Sequence, residues 1–252
     1  MPNRYPAGDF LRINFGGFIP ISTVDWPGRA VCTVFLRGCP VRCDYCHNRD
    51  LQNGEDYRSV DEIIDLIRST RIAVSGVVFS GGEPTQQGEA LVELARRAKG
   101  EGFLVGLHTN GVYPAVISDL IAERAVDRIA LDIKARWNRY DNLLREKYAL
   151  AVKETLKVCK TAYMQGKLPE FQVVITLFRG YEDEVRYISA EAEGVDLVLQ
   201  QGIFGRVRPL SSDELREIAD GIGRPVIIRT REEGETRYEG NRIGRSSGER
   251  QR

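Results

Sequence analysis

The 252-residue sequence carries no net charge, because 36 Lys and Arg are cancelled by 36 Asp and Glu. That balance removes the bulk electrostatic argument for nucleic-acid or anionic membrane binding. No apolar run approaches the roughly 20 residues that a membrane-spanning helix needs. The first residues, Met1 to Pro6, lack the apolar core of a signal peptide. The expectation is a cytoplasmic protein with neither nucleic-acid nor membrane partners. The evenly spread, even-numbered cysteines of a disulfide scaffold are missing too. The five present are Cys32, Cys39, Cys43, Cys46 and Cys159, three of them between positions 39 and 46. In a reducing compartment such thiols more often serve metals or catalysis.

Three thiolates in one tight loop, with no fourth nearby, describe an incomplete metal site. Such a set can hold three irons of a four-iron cluster and leave one iron open to a substrate or cofactor. The alternative is a structural zinc site with His47 as fourth ligand. That reading strains adjacent Cys46 and His47 around one ion. Cys32 and Cys159 lack ligand spacing and read as buried core thiols, so a second cluster has no ligands.

What the sequence does have is alternation. Strands are expected at 30–36, 76–80, 103–107, 127–133, 171–177 and 195–199, with a last short one at 225–229. Between them lie helical patterns. Ser59 and Glu62 form a capping box ahead of Val60, Ile63, Ile64 and Ile67 on one face. Leu91, Leu94, Ala95 and Ala98 share a face, Pro114 opens a helix carrying Ile117, Leu120 and Ile121, and a long helical stretch covers about 141–164. A polar helix is expected near 182–192, and another begins at Ser211 and Glu214. Before the first strand, Phe10 to Phe15 alternates as a short β-excursion that Gly16-Gly17 should break. From Glu232 onward the chain is charged and glycine-rich, and disorder is expected. This gives a single domain over 1–230, core about 14–205, and a tail over 231–252.

Six strand–helix units, apolar on both strand faces, specify an α/β fold with a parallel sheet. They are too few for a closed eight-fold barrel. The expectation is a partial, open (β/α)6 TIM-like barrel. An open doubly wound sheet is the competitor, but no Gly-x-Gly-x-x-Gly follows the first strand. Special residues gather at the strands' C-terminal ends, where α/β folds place active sites. They are the cysteine loop, Gly81-Gly82-Glu83-Pro84, His108-Thr109-Asn110-Gly111, and Asp132 with Lys134. Asp132 and Lys134, two apart, point to one face of a strand; the plain alternative is an internal ion pair.

These residues carry a resemblance. Cys39-x3-Cys43-x2-Cys46, with Tyr45 before the last cysteine, resembles the radical S-adenosylmethionine (radical SAM) superfamily, and Gly81-Gly82-Glu83-Pro84 matches its methionine-binding turn. Ser22 to Gly28 and Cys46-His47-Asn48-Arg49-Asp50 look like the glycyl-radical-enzyme activases, among them the activating proteins of pyruvate formate-lyase and of anaerobic ribonucleoside-triphosphate reductase. The similarity covers roughly 14–205.

The resemblance implies that Cys39, Cys43 and Cys46 bind one [4Fe-4S] cluster, whose unique iron takes the amino and carboxylate groups of SAM. It implies that Tyr45, Gly81, Gly82, Glu83, Thr109, Asn110, Asp132, Lys134 and Gln200 line the cofactor. Gly81 and Gly82 would let the methionine approach the backbone. Glu83 would hold the turn or face the ligand's cationic groups, and Lys134 would pair the methionine carboxylate. Reductive cleavage of SAM would yield a 5′-deoxyadenosyl radical, which takes hydrogen from a backbone glycine of a partner enzyme. A short barrel without a capping domain leaves an opening for a peptide loop. A low-potential flavodoxin or ferredoxin is the implied electron donor.

His108 departs from the aspartate common in pyruvate formate-lyase activating enzyme, which puts that family's monovalent cation site in doubt although Thr109 and Asp132 remain. His108 contacts SAM or hydrogen-bonds at the strand edge. Gln200 and Gln201 meet adenine or satisfy backbone. Arg179 and Arg206 meet substrate or lie solvated, and Trp26 and Trp137 flank the opening or pack. Two other functions compete with the activase. One is a radical SAM enzyme acting on a small molecule, of the 7-carboxy-7-deazaguanine synthase kind. The other is a zinc-bearing interaction module.

Overall fold

The structure is a computed structural model that describes residues 11–144 and 148–240, the side chains of 141–147 excepted. The N-terminal hexapeptide, positions 145–147 of the long helical stretch and positions 241–252 of the tail lie outside the described residues. The chain divides into two compact units, Met1–Val173 and Val174–Arg252.

The first unit opens with β1 (Arg12–Ser22), β2 (Val31–Leu36), β3 (Tyr57–Ser59) and α1 (Val60–Ser69). It continues with β4 (Gly76–Gly81), α2 (Glu89–Gly100), β5 (Leu104–Thr109), α3 (Pro114–Ala122) and β6 (Arg128–Asp132). Helices α4 (Trp137–Leu144) and α5 (Ala149–Met164) lead into β7 (Glu170–Leu177), which runs through the unit boundary. The second unit adds α6 (Glu182–Glu191), β8 (Asp196–Gln201), α7 (Ser212–Asp220), β9 (Val226–Thr230) and β10 (Gly234–Tyr238).

In the first unit β2, β4, β5 and β6 are parallel neighbours, and antiparallel β1 and β3 extend the sheet beyond β2. In the second, β8 and β9 are parallel and β10 turns back antiparallel on β9. The strand order ends at β3 and at β10, so the mixed sheet is open and unclosed, as the count of strand–helix units requires. Parallel strands covered on both faces must be apolar throughout. Accordingly Val77, Val78, Val105, Leu107, Ile129 and Leu131 are all buried.

The helix faces fall where their periodicity places them. In α1 the buried residues are Val60, Ile63, Ile64 and Ile67, and the Ser59–Glu62 capping box is formed in both directions. Ser211 and Glu214 do the same for α7. Cys32 and Cys159 are buried core thiols, and burial pushes Cys32 up to about 11.

Three local expectations change. Gly16-Gly17 does not end the first extended segment. β1 passes through both glycines with a register shift against β2, because a side chain at Gly16 would meet Phe35 O at 3.0 Å. The bare backbone keeps the two strands paired. The stretch foreseen as one helix from 141 is two helices, the first beginning at Trp137. The expected disorder from Glu232 fails for the tail's first part. Gly234–Tyr238 forms β10, held by an Arg229–Glu235 ion pair at 2.6 Å and by Tyr238 Oη donating to Asp220 at 2.9 Å.

Candidate functional site

The cysteine loop leaves β2 at Leu36 and is tied down at both flanks. Arg37 donates to Phe15 O at 3.1 Å and to Asp50 O at 2.8 Å, and Gly38 N donates to Leu51 O at 2.8 Å. Gln87 Nε2 donates to Arg37 O at 2.8 Å. Within the loop, Arg42 caps the Cys39 carbonyl and Arg49 the Asp44 carbonyl. Arginine has five donors and no acceptor, so it gathers the carbonyls that an irregular loop leaves unpaired. All three cysteines are free and partly buried, while His47 is exposed.

The glycine turn docks directly on the start of that loop. Gly82 N donates to Leu36 O at 2.8 Å and Glu83 N to Gly38 O at 2.7 Å. Asn48 Nδ2 donates to Gly81 O at 3.0 Å from the far end of the cysteine loop. A β-carbon at Gly81 would lie 2.6 Å from Leu36 N, at a backbone φ of +119°. One at Gly82 would lie 2.8 Å from the Gly38 carbonyl carbon. The sequence suggested that these glycines clear room for a ligand. In the fold, the space a side chain would need is already filled by the chain's own backbone.

Glu83 is fully buried. Its Oε1 accepts from Thr85 N at 3.0 Å, from Thr85 Oγ1 and from Thr109 Oγ1 at 2.7 Å, and its Oε2 accepts from Asn110 N at 2.7 Å. Burial raises its carboxyl above the usual range, against the lowering effect of those donors. Of the two roles read for Glu83, the structure shows the first: it fastens the ends of β4 and β5 together. Thr109 is spent likewise, its hydroxyl also accepting from Gly111 N at 3.0 Å.

Lys134 Nζ donates to Asp132 Oδ2 at 2.7 Å and lies 5.4 Å from the centre of the Tyr45 ring. Burial opposes its charge, but Asp132, Tyr45 and Cys43 together more than offset this and hold the ammonium well above the lysine range. At Cys43 burial raises the thiol while Lys134 pulls it back. One buried oxygen in this group, Asp132 Oδ1, has no hydrogen-bond partner among the described residues. Orphaned buried polar atoms are rare in folded proteins. Here one stands beside a lysine that acts electrostatically on a cysteine of the loop. A polar, charged ligand with both donors and acceptors fits such a group. Among the described residues no three His, Cys, Asp or Glu are grouped to hold one metal ion. An iron–sulfur cluster does not need its thiolates to converge on a point, because each binds a different iron.

The remaining readings divide. His108 Nε2 lies 3.0 Å from Asp25 O and 3.3 Å from Arg128 Nη1. It occupies the opposite strand face from Thr109 and hydrogen-bonds within the fold. Trp26 packs with Val31 and Val78 and donates to Glu170 at 3.0 Å, and Trp137 is buried against Tyr140. In the second unit, Gln200 accepts from Arg229 at 3.0 Å and Gln201 Nε2 donates to Leu210 O at 2.8 Å. Arg179 pairs with Glu214, and Arg206 is exposed. Sequence reasoning passed over Arg37, Gln87 and Arg42, because carbonyl-gathering residues carry no spacing signal.

No helix among the described residues is long and apolar enough to cross a membrane. A family model described as the radical SAM superfamily matches residues 33–190. A Methanocaldococcus jannaschii protein, provisionally named a glycyl-radical enzyme activating enzyme, is 37% identical over 136 residues; the match covers 54% of this chain and 56% of that protein. The pyruvate formate-lyase 1-activating enzyme of Escherichia coli K12 is 30% identical over 176 residues, covering 66% of this chain and 68% of its own. Among solved structures, TYW1 with a lysine–pyruvate adduct bound has a TM-score of 0.60 at 16% identity, covering 83% of this chain and 80% of that one. QueE from Escherichia coli has a TM-score of 0.55 at 14% identity, covering 83% and 89%. At those identities the structural likeness speaks for the fold. Taken with the cysteine loop seated on its glycine turn, the family match shows that this chain belongs to the radical SAM superfamily, with homology of the glycyl-radical-enzyme activase type.

Proposed function

We propose that the chain is an activase that generates a glycyl radical on a partner enzyme, with anaerobic ribonucleoside-triphosphate reductase as the first candidate and another glycyl radical enzyme as the second. In this reading Cys39, Cys43 and Cys46 hold one [4Fe-4S] cluster. The observation that carries it is the seating of the cysteine loop on Gly81-Gly82-Glu83, with Lys134, Asp132 and Tyr45 beside it. The naming of the archaeal and bacterial relatives supports a protein substrate of the glycyl radical class.

The cluster and S-adenosylmethionine, once bound, would supply the reductive cleavage of the sulfonium from which the hydrogen-abstracting radical arises. The chain's own residues bind and orient. Lys134 offers a fixed ammonium to the methionine carboxylate, Asp132 Oδ1 offers an acceptor to its amino group, and Glu83 keeps the two strand ends in register. An electron donor of the flavodoxin or ferredoxin class is required.

Iron and sulfide analysis of anaerobically reconstituted protein is expected to give about four irons per chain; close to eight would refute a single cluster. Lys134→Ala is expected to weaken SAM binding about tenfold to hundredfold, the loss of a charge-assisted contact, with the cluster spectrum unchanged. Equal affinity in the variant would assign Lys134 to an internal ion pair with Asp132. For the partner, reduced enzyme and SAM are mixed with each candidate under anaerobic conditions. A glycine-centred doublet in the electron paramagnetic resonance spectrum, lost when the partner's radical glycine is replaced, is the expected result. No radical with any such partner, alongside turnover of a small molecule such as a tetrahydropterin, would overturn the activase reading.

A further inference from the structure

Asn110 follows β5 and is 8% exposed. Its backbone N–H is taken by Glu83 Oε2 at 2.7 Å, and its side-chain Oδ1 accepts the N–H of Val112 at 3.2 Å. A backbone N–H can only donate, so the amide has one orientation: the oxygen must face Val112. The Nδ2 group then points the other way, and it lies 3.6 Å from Cys39 Sγ. A donor fixed at both ends of its residue is therefore aimed at one sulfur of the cysteine loop.

We infer that Asn110 tunes the reduction potential of the cluster by donating Nδ2–H to the sulfur of Cys39. The inference rests on Cys39 being a cluster ligand. Reduction is the uptake of one electron from an external low-potential donor; no bond forms or breaks and no proton moves. The added charge spreads over iron and sulfur, so a donor at a thiolate stabilises the reduced state more than the oxidised one. Hydrogen bonds to cluster sulfurs are a main lever on potential, and a partly buried setting strengthens them. Asn110 touches no reacting atom. It is a positioning residue that acts through Cys39 and makes the cluster easier to reduce.

The test compares midpoint potentials of the reconstituted full-length protein, wild type against Asn110→Asp, Asn110→Ser and the remote Ser118→Ala. Each is titrated anaerobically with dithionite and followed by electron paramagnetic resonance. Asn110→Asp keeps an oxygen for Val112 N–H but turns an acceptor toward Cys39. Asn110→Ser keeps a hydroxyl for Val112 and withdraws the amide. Both are expected to shift the potential downward, aspartate further than serine, with Ser118→Ala unchanged. A serine shift without an aspartate shift would make the effect structural and overturn the inference. So would equal potentials across all variants with clusters intact. If the aspartate variant holds no cluster, the serine variant decides by the same sign. A wild-type protein that binds no iron would instead overturn the cofactor reading beneath it.

Discussion

Glu83→Ala is expected to lower the melting temperature by roughly 10 °C and to remove SAM binding. The carboxylate is fully buried and receives Thr85 N, Thr85 Oγ1, Thr109 Oγ1 and Asn110 N. Removing it strands two backbone N–H groups, and each buried donor left unpaired costs about 1–3 kcal/mol. The total of about 2–6 kcal/mol, taken near its middle, converts to that shift at roughly 2–4 °C per kcal/mol for a chain of this size. Glu83→Gln separates the contributions. Its amide places N–H against either the Asn110 N–H or the Thr85 and Thr109 donors, so one set is lost and a smaller drop, about 1–3 kcal/mol, is expected. Thermal unfolding measured by circular dichroism reads both. Wild-type melting in Glu83→Ala would mean that the turn is held by other contacts.

Gly82→Ala is expected to separate the glycine turn from the cysteine loop. Its methyl would overlap the Gly38 carbonyl, and the bonds Glu83 N to Gly38 O and Gly82 N to Leu36 O would have to lengthen. Overpacking against backbone, which cannot rotate away, costs about 1–3 kcal/mol. Charged to SAM affinity, that is about a tenfold to hundredfold loss, accompanied by lower iron content. Gly17→Ala is the matched control, since nothing lies within 4 Å of its would-be methyl, and it should leave both quantities unchanged. Normal SAM affinity in Gly82→Ala would show that the turn tolerates displacement from Gly38.

Much of the architecture was legible because local chemistry writes it. Period-two and apolar runs marked seven strands, the short last one among them, and i, i+3, i+4 apolar spacing marked the faces of α1, α2 and α3 that the fold buries. The two capping boxes are satisfied within four consecutive residues, so they could be named without any tertiary contact. Strands β3 and β10 escaped notice for the complementary reason. They are short, polar edge strands whose pairing is dictated by Arg12–Asn14 and by β9, not by their own pattern.

The site divides in the same way. The spacing of Cys39, Cys43 and Cys46 by itself determined that three thiolates share one loop, and the Gly81-Gly82-Glu83-Pro84 turn determined where a second motif stands. Only the tertiary structure decided what those residues touch. Gly81 and Gly82 are glycine because Leu36 and Gly38 occupy their side-chain space. Glu83 grips Thr109 and Asn110 rather than standing open. His108 turns to Asp25 O and Arg128 while its neighbour Thr109 turns to Glu83, since successive strand residues face opposite sides. The amide of Asn110 reaches Cys39, 71 positions away. Periodicity fixes which side of a strand a residue faces. Which distant group waits on that side is set by strand order, and strand order is a property of the folded chain.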